Sequence, residues 1–323
     1  MDTCPCQAKE GYQFSTSNDS WNRNDQIGMK VMSLIVLILI LLIYISVTWT
    51  SHEKKSLYMW LAMILLLTVI LLNMVIRKPI YLLYAPSSIL SYFIRTAPYL
   101  DRTVYFPNHT MFEHPETFMK IKQEVEYMLN KTNSGNNLPM THDSYGGENQ
   151  YIGSDIKVVQ GVKRAWRLLN VKVGDMYSED ALQHFPVLVS LLNKLPEVQS
   201  CVVSVLEPGI QIPIHVGYYK GIMRYMIPTH IPKDRDNVYL CVNGTKYHWK
   251  EGEGVLWDDT YPHKVYNNTN EVRVLIYMDV VRPLHNESIS WFHNVNHWIL
   301  KTASGSSIVK DEIKRTEKQI SIS

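Results

Sequence analysis

Between Ser204 and Pro283 the chain consists of short apolar segments punctuated by turn residues. These are Glu207-Pro208-Gly209, Asn243-Gly244 and Gly252-Glu253-Gly254. Such close punctuation leaves room for strands and hairpins, and Asn-Gly is a strong short-range hairpin signal. The run VRVLIYMDV from Val272 to Val280 reads as one of these strands. The segment is therefore expected to be mainly β.

Two histidines, His215 and His263, each fall in a β-type segment, and Arg273 follows on the next strand. A redox-active ferrous ion accepts imidazole and carboxylate ligands and must keep neighbouring positions open, as in the facial triad. Two histidines from separate strands can supply part of that face. The usual triad carries a carboxylate two residues after its first histidine, but here His215 is followed by Val216-Gly217. The third protein ligand is missing from its expected place. A diacid chelated to the metal through a 2-oxo acid group needs a fixed cation for its far carboxylate, and arginine can hold one bidentately. Arg273 is the candidate for that cation.

From about Tyr99 to Pro283 the chain resembles the aspartyl/asparaginyl β-hydroxylase family, including its branch that hydroxylates lipid A acyl chains. The residues that carry the resemblance are Ser204 to Gly209 (SxLxPG), His215-Val216-Gly217 (HxG), Arg224, Asp258-Asp259 with His263 (DDxxxH), Arg273, and Asp279 to Pro283. An ordered set over some eighty residues is far more specific than one short motif. The resemblance implies a double-stranded β-helix fold, Fe(II), 2-oxoglutarate and O2, with two histidine ligands rather than three protein ligands. It makes His215 and His263 the iron ligands, sets Ser204 and Arg273 on the far carboxylate of 2-oxoglutarate, and sets Arg224 near the metal-side one. One position departs. Where the family's RxH pattern has a histidine against 2-oxoglutarate, this chain reads Arg224-Tyr225-Met226, and a thioether donates no hydrogen bond. His230, four residues on, lies about 13 Å further along a strand.

Simpler readings stand beside these. A lone histidine in a strand is usually a satisfied polar residue, and the chain has 12 histidines. Arg273 could be an edge-strand charge that discourages aggregation. Asp258 and Asp259 look like a metal-binding pair, yet aspartates in a turn before a histidine commonly accept from backbone amides, and the turn reading is preferred. The four cysteines, Cys4, Cys6, Cys201 and Cys241, form no zinc pattern and no disulfide framework. Cys201 and Cys241 read as small core residues, which suits a reducing compartment.

The N-terminal quarter differs. Val31 to Trp49 carries no charge, and in Leu57 to Ile76 the strongly polar side chain is Asn73. Each matches the length of about 20 residues needed to span a bilayer. The expectation is a two-helix transmembrane hairpin, hence an integral, multi-pass membrane protein. Lys and Arg flanking the two runs favour a cytoplasmic catalytic domain, while sequons such as Asn108 and Asn267 argue for the opposite side. A net charge of +2 with no basic stripe argues against nucleic acid as a partner.

The expected organisation is a polar segment (1–30), two transmembrane helices (31–76), a juxtamembrane connector (77–98), the dioxygenase-like domain (99–283), and a C-terminal helix with a polar tail (284–323). Within the domain, Pro115 to Lys131 reads as an amphipathic helix through Phe118, Ile121, Val125 and Met128-Leu129. Thr132 to Ser154 reads as a long loop, either a lid or a solvated insertion. Trp166 to Val173 reads as a strand and Pro186 to Leu195 as a helix. The fold expected is a double-stranded β-helix of the jelly-roll kind with flanking α-helices. The function expected is Fe(II)- and 2-oxoglutarate-dependent hydroxylation of an aliphatic carbon, in a protein Asp/Asn side chain or a lipid acyl chain. A non-catalytic binding or scaffold protein that kept the fold is the alternative. Met226 points towards that alternative, and the retained His215, His263 and Arg273 point away from it.

Overall fold

The computed structural model of the protein describes residues 94–132, 157–159, 162–217 and 219–284, with scattered positions elsewhere. The early strands are β1 (Tyr99–Leu100), β2 (Lys157–Val159), β3 (Val162–Arg164), β4 (Trp166–Val173) and β5 (Met176–Tyr177). Then come β6 (Val198–Leu206), β7 (Gln211–His215), β8 (Ile222–His230), β9 (Val238–Val242) and β10 (Thr245–His248). The last are β11 (Val255–Trp257), β12 (His263–Asn267) and β13 (Arg273–Val281). The helices that accompany them in the described residues are α1 (Arg102–Tyr105), α2 (Thr110–Glu113), α3 (Pro115–Lys131), α4 (Glu179–His184) and α5 (Pro186–Leu192).

The strands form two main antiparallel sheets. The larger runs β1-β11-β8-β13-β6-β4-β5 and the smaller runs β10-β9-β12-β7. Strand alternation then divides the side chains of the larger sheet. Leu169, Val171, Val203, Val205, Val274, Ile276 and Met278 go to one face, where they pack with Ile121, Val125 and Met128 of α3 and with Leu188 and Leu192 of α5. Trp166, Leu168, Val202, Leu206, Leu275 and Tyr277 go to the other, where they pack with Leu240, Val242 and Val265 of the smaller sheet. Two sheets over one inner cluster, with helices on the outside of one of them, make the mainly β, jelly-roll-like architecture that was expected. Each fully buried aliphatic side chain stabilises by about 1.5–3 kcal/mol.

Local chemistry sets the element ends. Pro115 opens α3, where no backbone donor is needed, and the buried positions Ile121, Val125, Met128 and Leu129 share one helical face. Glu124, elsewhere on α3, accepts from the Val187 and Leu188 amides at 2.6 and 3.2 Å and so caps α5. Ser178 caps α4 through the Ala181 amide at 3.1 Å. Asn243 and Gly244 take φ of 46° and 84° between the paired Val242 and Thr245, as a two-residue hairpin loop requires.

Several expectations are corrected here. Among the described residues no helix is long and apolar enough to cross a membrane, and a span needs about 20 continuous helical apolar residues. The multi-pass membrane localisation, with the cytoplasmic orientation argued from it, does not stand on that finding. Most of Val31 to Trp49 and Leu57 to Ile76 lies outside the described residues, as does most of the Thr132 to Ser154 loop. Cys241 is disulfide-bonded, so the reading of the cysteines as unbridged is corrected and its compartment argument falls. The α5 helix ends at Leu192 rather than Leu195.

The described residues form two compact units. All elements named above lie in the one that holds Thr96–Gly217 and the residues described from Gly221 onward. The other holds described residues up to Arg95 together with Tyr219 and Lys220. In it, Ser87 Oγ accepts from the Lys220 amide at 2.9 Å.

Candidate functional site

His215 ends β7 and His263 begins β12, and the two residues face each other in the pairing of those strands. The register slips between His263 and Val265, because Val265 pairs with Ile212 rather than Pro213. One extra residue on β7 is a β-bulge, which re-aims the side chains beyond it. Ile212 therefore packs in the inner cluster, whereas Ile214 packs with Cys241 and Tyr266 in a separate one. The bulge brings His215 beside His263, with ring centroids 3.9 Å apart. Both are buried.

The His263 ring is held from two sides. Its Nδ1 lies 2.9 Å from the Tyr261 carbonyl oxygen, and a carbonyl can only accept, so Nδ1 carries the proton and Nε2 keeps its lone pair. Trp257 packs edge-on at 4.5 Å between centroids. Burial, reinforced by neighbouring His215, holds the His263 imidazole well below the ordinary histidine range. A neutral imidazole with an oriented lone pair is the state that binds a metal.

Asp258 and Asp259 have parted company. Asp258 follows the turn reading: its Oδ1 accepts from Thr260 N and Oγ1 at 3.2 and 2.6 Å. Its Oδ2 takes Arg282 and Thr96 Oγ1, each at 2.8 Å. Asp259 instead turns its carboxylate to Gly217, where a β-carbon would lie 2.2 Å from Asp259 Cγ. Burial pushes the Asp259 carboxyl up to about 7 against the pull of Arg224. That pull is divided, since the Arg224 guanidinium reaches Asp259 at 3.3 Å and Asp279 at 3.0 Å and lies 4.9 Å from the Tyr277 ring centroid. The sequence reading grouped the two aspartates together, and the signal that separates them is the glycine at 217. Even so, no cluster of three His, Cys, Asp or Glu side chains fit for a metal forms among the described residues.

Across the inner face, Arg273 is 2% exposed and has no carboxylate partner among the described residues. Its Nη1 donates to Ser204 Oγ at 3.4 Å, its guanidinium lies 5.9 Å from the Trp249 ring centroid, and its Nε has no hydrogen-bond partner among the described residues. Trp166 Nε1 also donates to Ser204 Oγ, at 2.8 Å. With both lone pairs taken, the Ser204 hydroxyl proton is directed elsewhere. Burial brings the Arg273 pKa down to about 9, so the cation persists at neutral pH. The edge-charge reading of Arg273 fails, because β13 lies between β6 and β8. Met226 is buried on the same face, with Tyr277 its partner across the β13 pairing.

Fold and site define a mainly β, jelly-roll-like protein whose interior holds two adjacent buried histidines, His215 and His263, and a buried guanidinium, Arg273, that has no carboxylate partner among the described residues. The model of the Aspartyl/Asparaginyl beta-hydroxylase family matches residues 116–283, and the chain belongs to that family. An ornithine lipid ester-linked acyl 2-hydroxylase of Rhizobium tropici is 28% identical over 144 residues, 44% of this chain and 51% of the relative. The human aspartyl/asparaginyl beta-hydroxylase is 30% identical over 111 residues, 33% of this chain and 14% of the relative. The chain thus spans about half of one curated relative and a small part of the other. A solved Pseudomonas putida prolyl-4-hydroxylase aligns with 51% of this chain and 87% of its own, at 11% identity and a TM-score of 0.32.

Proposed function

We propose that the protein is an Fe(II)- and 2-oxoglutarate-dependent dioxygenase that hydroxylates an aliphatic carbon. The observation that carries the reading is Arg273, a buried guanidinium that among the described residues has neither a partner for its Nε nor a carboxylate beside it, and that lies against Trp249 of the inner cluster whose Trp257 packs on His263. A charge buried without a counter-ion is expensive to keep, and an anionic ligand resolves it. The donor set fits a ferrous ion with a chelating 2-oxo diacid: two imidazoles for the metal, and Arg273 with the Ser204 hydroxyl for the far carboxylate.

With the metal and 2-oxoglutarate bound, oxidative decarboxylation supplies the oxidising power for hydroxylation. The chain's own residues do the rest. Tyr261 O fixes the His263 tautomer, Trp166 and Arg273 orient Ser204, and the Arg224–Asp279 pair holds Asp259 beside Gly217. The inner cluster of Leu168, Leu206, Ile212, Leu240 and Val265 excludes water. For the substrate, a lipid acyl chain and a protein Asp/Asn side chain are the two classes offered by the relatives. The longer match is to the lipid hydroxylase, so acyl chains are the first to assay.

Met226 favours the second reading, a binding protein that retains the fold without turnover. The experiment that separates the two is anaerobic loading of the full chain with Fe(II), followed by measurement of succinate from 2-oxoglutarate under O2, with His215→Ala as control. Succinate that depends on His215 is the expected result. Metal-dependent 2-oxoglutarate binding without succinate, persisting across lipid and peptide substrates, would establish the binding protein instead.

A further inference from the structure

Trp257 is fully buried on the inner face of β11, and its indole Nε1 has no hydrogen-bond partner among the described residues. A buried donor left unpaired is unfavourable, and in a folded protein it points to a ligand or an ordered water. Two other buried donors of this interior share the condition, Trp249 Nε1 and Arg273 Nε. Trp249 and Arg273 lie together, 5.9 Å between ring centroid and guanidinium. Trp257 lies instead against His263, at 4.5 Å. The unpaired donors therefore occur both at the guanidinium and at the histidines.

The residues around Trp257 sharpen its meaning. In the β11–β8 pairing Trp257 faces Arg224 and Val255 faces Met226, which makes Trp257 and Met226 diagonal neighbours about 7–8 Å apart. Arg224 is engaged by Asp259 and Asp279. Met226 has no hydrogen to donate. Against His263, the buried N–H of Trp257 is a donor that stands without an acceptor among the described residues.

We infer that the Trp257 indole N–H donates to the metal-side carboxylate of the bound 2-oxo diacid, supplying the donor that position 226 lacks. The inference rests on the cosubstrate reading above. An indole N–H does not titrate, so this contact holds its acceptor at every pH at which the protein is folded. It also selects for a ligand that presents a carboxylate, rather than a methyl group, beside the 2-oxo group.

The test uses the full chain loaded anaerobically with Mn(II), titrated by calorimetry with 2-oxoglutarate and with 4-oxopentanoate, which keeps the far carboxylate and the oxo group but has a methyl in place of the near carboxylate. Trp257→Phe is expected to weaken 2-oxoglutarate about tenfold and to leave 4-oxopentanoate unchanged within about twofold. An equal loss for both ligands, or no loss for either, overturns the inference. Should the variant fail to fold, the Zn(II)-loaded wild type decides by NMR. The indole N–H resonance of Trp257, identified by cross-peaks to the His263 ring, must move downfield and exchange more slowly on adding 2-oxoglutarate, and a static resonance overturns the inference. The parent reading fails in a different way: wild-type protein then shows no metal-dependent affinity for 2-oxoglutarate, and Arg273→Met changes nothing.

Discussion

The Asp259 carboxylate fills the space that a side chain on Gly217 would need: a β-carbon there would come within 2.2 Å of Asp259 Cγ and Oδ1. Position 217 is where a facial triad would carry its carboxylate. The chain instead brings a carboxylate to the same place from the β11–β12 turn, and the two positions exclude each other sterically. Residue identity at 217 and at 259 must therefore change together.

Gly217→Asp should destabilise the protein, because overpacking a close-packed site costs about 1–3 kcal/mol and the displaced group is a short buried carboxylate. For a domain of this size that lowers Tm by about 2–12 °C. Combining it with Asp259→Gly should recover most of the loss. Thermal denaturation of the two single variants and the double variant checks the coupling, and additive losses would show that the clash is relieved elsewhere.

Asp259 gives a pH dependence of known sign. Its carboxyl is raised from 3.8 to about 7 by burial, so between these values the folded state binds more protons than the unfolded state. Its contribution to stability is fully present below pH 3.8 and is lost as pH rises to about 7. His263, held well below 6.5, acts oppositely: its contribution is present above 6.5 and is lost as pH falls below that value. Metal-free Asp259→Asn should gain stability relative to wild type as pH rises from 4 to 7, since only the wild type must ionise a buried carboxyl. Urea unfolding at each pH measures the difference, and a gap that does not widen would mean that Arg224 keeps Asp259 ionised.

Arg273→Met should separate stability from binding. Replacing a buried charge that lacks a counter-ion with an apolar side chain of similar length is expected to stabilise the ligand-free protein by about 1–4 kcal/mol. The same change should abolish the protection against heat that 2-oxoglutarate gives the metal-loaded wild type. Differential scanning calorimetry with and without 2-oxoglutarate reads both effects.

Ser204→Ala should cost about 1–3 kcal/mol, because the Trp166 and Arg273 donors that meet on Ser204 Oγ would both be left in an apolar interior. Ser204→Thr keeps an oxygen there and should recover part of the loss. Chemical denaturation of the pair tests whether the hydroxyl, rather than volume, is responsible.

Much of this protein is legible locally. The limits of α3 and β4 follow from a proline start and apolar periodicity, and the Asn243-Gly244 turn from the glycine and asparagine that tolerate positive φ. His215, His263, Ser204 and Arg273 stand out by type and order along the chain. What the sequence could not decide is where they point. Ile212 and Ile214, two residues apart, should share a face by strict alternation, yet they pack into different clusters because β7 bulges against β12. That bulge sets His215 beside His263. Likewise Asp258 and Asp259 are identical and adjacent in sequence, but one anchors a turn through Thr260 and Arg282 while the other fills the void over Gly217. Residue type determined which groups were present. Strand pairing between segments roughly 50 residues apart decided their register, and a shift of one residue in register reverses the face on which every following side chain lies.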